Sequence, residues 1–117
     1  MKRDPRALLW DVREAADAIE DFVRGHDHNY YVGDLMLRSA VEGQFMVIGE
    51  ALNQLSKLDS TLAGSIPELG RVVGFRNVLI HGYDAIDHLA VWRVIQSDLA
   101  PLRAKVHALL TALGDAP

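Results

Sequence analysis

Apolar residues recur at alternating steps of four and three in several stretches of the chain, the spacing that places side chains on one face of an α-helix. The first stretch follows Asp4 and Pro5, a pair typical of an N-cap and a first helical residue. Its apolar face consists of Leu8, Val12, Ala15, Ile19 and Phe22. The pattern predicts a first helix that ends at Gly25.

A second helix is predicted after Asp34, which is placed to cap it, and runs to about Lys57. Its apolar face consists of Val41, Phe45, Ile48, Leu52 and Leu55. Gly43 and Gly49 lie inside this helix, where each glycine costs about 1 kcal/mol relative to alanine. We therefore expect both glycines to mark close approach of a neighbouring helix.

Two further helices are predicted in the second half of the chain. One begins at Pro67 and ends at Gly82, and the other begins after Asp87. The apolar face of the last helix consists of Trp92, Ile95, Leu99, Leu102, Val106, Leu109 and Leu113. Pro101 interrupts this pattern, so a bend or local break is expected near Ser97.

The remaining segments are predicted to connect the helices. Residues 25–33 form a polar, aromatic loop in which Tyr30 or Tyr31 contacts the core. His26 and His28 lie in this loop without another nearby ligand, which favours a solvated loop over a metal site. Residues 59–67 are predicted to hold one short turn around Leu62.

Four amphipathic helices joined by short links bury their apolar faces at least cost in an antiparallel bundle. The sequence therefore predicts an all-α fold, a four- to five-helix bundle that forms one domain over residues 1–117. Apolar residues extend beyond the minimal face on the second and fourth helices, at Met46, Val47, Trp92 and Val94. This surplus predicts a homodimer.

Composition narrows the classes of function. The net charge is −4, which argues against a general nucleic-acid-binding domain but leaves room for an enzyme that holds RNA through a few cations. The absence of cysteine excludes disulfides and thiolate chemistry. The chain has no apolar run long enough to span a membrane and no signal-peptide pattern at its start, so we expect a cytoplasmic protein.

The polar side chains suited to binding or catalysis lie close together in residues 76–83, whose sequence is RNVLIHGY. Arg76 and His81 are five residues apart, so on one straight helix they point about 140° away from each other. They therefore cannot face one phosphate from a single helix. Either the helix breaks near Gly82, or a second copy of the chain completes the site.

Other interpretations of these residues remain open. Arg76 is also explained as a structural cation paired with Glu50 or Glu68, and His81 as a residue that binds a carbonyl at the helix end. Glu50 lies beside the apolar face of the second helix, and we expect it to pair with Arg76 or His81. His88 and His107 are expected on solvated faces.

The chain resembles the HepT-type members of the HEPN (higher eukaryotes and prokaryotes nucleotide-binding) superfamily over nearly its whole length. The resemblance rests on Arg76-Asn77 and His81-Gly82-Tyr83, in the pattern Arg-x-x-x-x-His-x-Tyr. Residues 47–51, which read VIGEA, support it, as do Trp92 and the pair Asp98-Leu99.

The resemblance implies a homodimeric toxin of a toxin–antitoxin pair that cleaves RNA without a metal or other cofactor. It makes Arg76 and His81 the catalytic pair, Asn77 and Glu50 supporting groups, and Tyr83 the residue that receives AMP. The implied partner is a minimal nucleotidyltransferase antitoxin of the MntA type. Gly43 and Met46 depart from the charged residues common in relatives.

An alternative function fits the same residues. The chain would then be a non-catalytic helical dimer that binds a nucleotidyltransferase or a nucleotide, with Arg76 and His81 serving recognition.

Overall fold

Six helices make up the regular structure of the computed structural model, which describes residues 4–67, 69–82 and 86–114, without the side chain of His81. In chain order they are α1 (Pro5–Val23), α2 (His28–Gly33), α3 (Leu35–Leu58), α4 (Ser60–Gly64), α5 (Leu69–His81) and α6 (His88–Leu113). No strand occurs in these ranges. The prediction of an all-α fold is confirmed, but four long and two short helices replace the predicted four to five.

Aspartate side chains begin five of these helices. Asp4, Asp34 and Asp87 each accept a backbone N–H from the first turn of α1, α3 and α6, as predicted. Asp27 and Asp59 do the same for α2 and α4, where the sequence predicts a loop and a single turn. Each cap satisfies an N–H that has no partner inside its helix.

The long helices pack in the order α6, α1, α3 and α5. Helix α1 contacts α3 and α6, while α5 packs on α3. The core is apolar and draws on every helix, and it includes Leu9, Val12, Ile19, Phe45, Ile48, Leu52, Leu55, Ala63, Val72, Leu79, Leu102 and Val106. Helix α6 continues through Pro101, so the predicted local break is absent.

Tyr31 is fully buried, so the prediction that one tyrosine of the 25–33 segment contacts the core is confirmed. Its ring lies 5.5 Å from that of Trp92, measured between centroids. Trp92 and Val94 pack against the core, whereas Met46 and Val47 are 40% and 44% exposed. The surplus apolar surface predicted for two helices is therefore carried by α3 at these positions.

In the described part of the chain, no helix combines the length and apolarity needed to cross a membrane.

Candidate functional site

Arg76 lies directly against the backbone of α3 at Gly49. A Cβ atom built on Gly49 would overlap the Cβ of Arg76 and would lie 2.6 Å from its Cγ and 3.1 Å from its Cδ. The glycine therefore lets the two helices approach closely at this point, as predicted. No described residue of another helix comes within 4 Å of such a Cβ at Gly43, so the same prediction is wrong for Gly43 within the described part of the chain.

The guanidinium of Arg76 is held from two sides. Its Nη2 donates to Oε2 of Glu50 at 2.6 Å, and its Nη1 donates to Oδ1 of Asn77 at 2.8 Å. Gln54 donates to the other carboxylate oxygen of Glu50 at 3.1 Å. The Arg76 side chain is 21% exposed and that of Glu50 is 47% exposed, so the pair lies at the edge of solvent.

This arrangement leaves part of the guanidinium available to a ligand. An arginine side chain has five N–H donors in a rigid plane. Glu50 and Asn77 occupy one donor each, and Nε is buried with no hydrogen-bond partner among the described residues. The remaining donors suit phosphate oxygens, although an anion that binds here must compete with the carboxylate of Glu50.

The structure brings three of the predicted site residues together: Arg76, Asn77 and Glu50. His81 is the last residue of α5, and its side chain lies outside the described part of the chain. Tyr83 lies outside the described residues altogether. The roles of these five residues in a reaction stay predictions.

The backbone of α5 determines how Arg76 and His81 are placed relative to each other. The helix continues to His81, and the N–H of Gly82 still donates to the carbonyl of Val78 at 2.8 Å. The Cα positions of Arg76 and His81 therefore lie on one unbroken helix, about 140° apart around its axis and about 7.5 Å apart along it. A break that would turn the two residues toward each other is absent between them.

Apolar surface is exposed on both helices of the site. On α5, Val78 is 54% and Ile80 is 37% exposed. On α3, Met46 and Val47 line a groove of about 430 Å³ that reaches Glu50. The other lining residues are Asp11, Gly43, Ala51 and Gln54. The candidate site is thus bordered by apolar surface that the described residues leave exposed.

The histidines of the 25–33 segment form part of its local structure. The ring of His26 stacks on that of Tyr30 at a centroid distance of 3.9 Å, and His28 is the first residue of α2. Within the described ranges, no three His, Cys, Asp or Glu side chains gather closely enough to hold a metal ion.

One expectation for the remaining histidines is wrong. His107 is exposed, but His88 is half-buried, and its Nδ1 lies 3.7 Å from Oε2 of Glu42. Burial raises the pKa of the nearby Tyr31 phenol, and the Glu42 carboxylate raises this pKa further, while Arg38 opposes the shift. Sequence spacing alone gave no signal for this grouping, since His88 is far from Glu42 along the chain.

Comparison with known proteins identifies the family of the chain. The family model described as "Ribonuclease HepT-like" matches residues 12–109. "Putative RNase MJ1380" of Methanocaldococcus jannaschii is 31% identical over 105 residues, which cover 90% of this chain and 95% of that protein. "Probable ribonuclease HepT" of Thermococcus cleftensis is 31% identical over 111 residues, which cover 93% of this chain and 98% of that protein.

No solved structure matches the chain significantly. The family model covers most of the sequence, and the relatives match over nearly their full length. The chain therefore belongs to the HepT-like family of the HEPN superfamily.

Proposed function

We propose that this protein is a metal-independent endoribonuclease whose active site forms where two copies of the chain meet. The observation that carries the proposal is the setting of Arg76. Its side chain packs over Gly49 and is fixed by Glu50 and Asn77, on the same helix that ends at His81. A preorganised cation costs little reorganisation when charge develops on a phosphate.

The reaction is attack of a ribose O2′ on the adjacent phosphorus, with cleavage of the P–O5′ bond. One histidine accepts the proton from O2′, and a second donates a proton to the departing O5′. The products are a 2′,3′-cyclic phosphate and a 5′-hydroxyl. Arg76 stabilises the negative charge that grows on the phosphoryl oxygens, for which its planar N–H groups are well suited.

A single chain supplies one motif histidine, whereas the reaction uses a base and an acid. The unbroken α5 helix keeps Arg76 and His81 on divergent faces, so a second α5 is needed to surround one phosphate. The exposed apolar side chains of Val78, Ile80, Met46 and Val47 border the site and offer a surface for that second copy. These features support a homodimer with a composite site.

Regulation follows from the position of Tyr83 in the motif. We propose that the protein is the toxin of a cytoplasmic toxin–antitoxin pair, and that a minimal nucleotidyltransferase of the MntA type transfers AMP to the Tyr83 hydroxyl. The attached phosphate would compete with RNA for Arg76. If Tyr83→Phe protein produced together with the nucleotidyltransferase is still fully silenced, modification of Tyr83 is not the mechanism.

The ion pair between Arg76 and Glu50 favours a second candidate function. Because Glu50 already neutralises much of the charge of Arg76, the pair also suits a structural or recognition role. The protein would then be a non-catalytic dimer that binds a nucleotidyltransferase or a nucleotide.

The two functions are separated by incubating purified protein with total RNA, with and without EDTA. We expect cleavage that EDTA does not reduce and that Arg76→Gln and His81→Gln abolish. Arg93→Gln and His107→Gln are the matched controls, since both replace exposed residues on α6. If RNA incubated with wild type and RNA incubated with His81→Gln remain equally intact, the catalytic proposal is refuted.

A further inference from the structure

A second group of polar side chains gathers at the N-terminal end of α3. Tyr31 comes from α2, Arg38 and Glu42 come from α3, and His88 is the first residue of α6. We call these four residues the Glu42 cluster. His88 Nδ1 lies 3.7 Å from Glu42 Oε2, and the phenol of Tyr31 interacts electrostatically with both Glu42 and Arg38.

The polar atoms of the cluster are buried to an unusual degree. Tyr31 Oη, Arg38 Nε and His88 Nδ1 are all buried and lack a hydrogen-bond partner among the described residues. Buried polar atoms of this kind are uncommon and call for an explanation. The Glu42 carboxylate, which has about four acceptor positions, lies near His88 and acts electrostatically on the Tyr31 phenol.

The cluster also joins three helices. Arg38 Nη1 donates to the carbonyl of Val32 near the end of α2, while His88 brings the start of α6 to Glu42. On α3, Glu42 therefore lies next to the start of α6, while Arg38, one turn earlier, binds the end of α2. These contacts lie apart from the ion pair of Arg76 and Glu50.

The position of the cluster relative to the candidate site follows from helix geometry. Glu42 and Gly49 are seven residues apart, so they lie on nearly one line of α3, about 10 Å from each other. Helix α5 meets α3 at Gly49 through Arg76 and again through Phe75, whose ring lies 5.1 Å from that of Phe45, so α5 also contacts α3 between Gly49 and Glu42. The chain then leaves α5 after His81 and re-enters a helix at His88, inside the cluster.

We propose that the Glu42 cluster is a positioning site for the candidate active site. By holding the first residue of α6 against α2 and α3, it fixes the point at which the short connection after α5 ends. The alignment of the α5 C-terminus, and with it that of the motif, then depends on Glu42 and His88. The catalytic consequence of this inference rests on the proposed ribonuclease function.

The test compares Glu42→Gln and His88→Gln with Arg103→Gln. The control also removes a charged group from an ion-paired network, the one that Arg103 forms with Asp17 and Glu20 between α1 and α6. Hydrogen exchange of the peptide 86–92 is measured first. We expect exchange about tenfold faster in both cluster variants, confined to this region, and unchanged in the control.

Steady-state cleavage of an RNA oligonucleotide is measured next. We expect kcat to fall by roughly ten- to a hundredfold in the cluster variants, with KM nearly unchanged, because the substrate still binds while the reacting groups are displaced. The double variant should lose little more than either single variant, since both substitutions break one contact. A general loss of folding would instead lower kcat and speed up hydrogen exchange along the whole chain.

The outcomes distinguish this inference from the proposed function. If wild-type protein does not cleave RNA, the proposed function fails, and the exchange measurement still tests the cluster. If wild type cleaves RNA but Glu42→Gln matches Arg103→Gln in exchange and in kcat, the positioning role is overturned. Faster exchange spread along the whole chain overturns it as well. Should Glu42→Gln fail to fold, His88→Gln provides the same comparison at a residue whose side chain is 32% exposed.

Discussion

Replacing Gly49 by alanine adds one methyl group at the point where α3 meets Arg76. The new Cβ would overlap the Cβ of Arg76 and approach its Cγ to 2.6 Å. The Cβ of an arginine is fixed by the backbone, so no change of rotamer can move it away. The two helices must separate or slide, and the guanidinium moves with them.

The size of the effect follows from two opposing terms. An alanine in an open helical position stabilises a protein by roughly 0.5–1 kcal/mol relative to glycine. Forcing an extra methyl group into a closely packed contact costs about 1–3 kcal/mol. Gly74 lies inside α5, and no described residue of another helix comes within 4 Å of a Cβ built there, so Gly74→Ala measures the first term alone. We expect Gly49→Ala to be about 1–3 kcal/mol less stable than Gly74→Ala.

Urea unfolding followed by circular dichroism, at one protein concentration, gives the free energies of unfolding. RNA cleavage by the folded variants then reports the position of Arg76, since a displacement near 1 Å is able to cost about a hundredfold in rate. Gly74→Ala should retain the wild-type rate. If Gly49→Ala is as stable and as active as Gly74→Ala, Gly49 does not set the position of Arg76.

Three further predictions concern the caps and the charged groups. Asp59→Ala removes the acceptor for the Leu62 N–H and should cost about 1 kcal/mol of unfolding free energy, measured in urea. The hydrogen bond from the Leu37 N–H is the main cause that lowers the pKa of Asp34. The ionised Asp34 side chain therefore stabilises the fold above the ordinary pKa of aspartate, and this stabilisation is lost as the pH falls through the lowered pKa. Asp34→Asn should therefore flatten the acid side of a stability–pH curve, and an unchanged curve would contradict this assignment. Arg76→Lys keeps the positive charge but loses the planar arrangement of N–H donors, so RNA cleavage should fall at least tenfold while the unfolding midpoint changes little. If the variant cleaves RNA at the wild-type rate, the charge alone is sufficient.

The sequence by itself determined the long helices and the composition of the motif. Apolar spacing over several turns predicted α1, α3, α5 and α6, and Asp4, Asp34 and Asp87 marked three of their starts, because capping depends on residues next to each other in the chain. The apolar spacing did not predict α2 and α4, because five or six residues are too few to show a helical period. Their caps, Asp27 and Asp59, were the local signal that could have revealed them.

Only the tertiary structure decided which of these residues meet. Arg76 and Glu50 are distant in sequence, and their pairing depends on how closely α5 approaches α3, which Gly49 permits and Gly43 does not influence. Glu42 and His88 are also distant in sequence, and they come together where α6 begins beside the N-terminal part of α3. Helical periodicity states which face of a helix is apolar, but it does not state which turn of a neighbouring helix lies opposite, because that depends on the packing of the whole core.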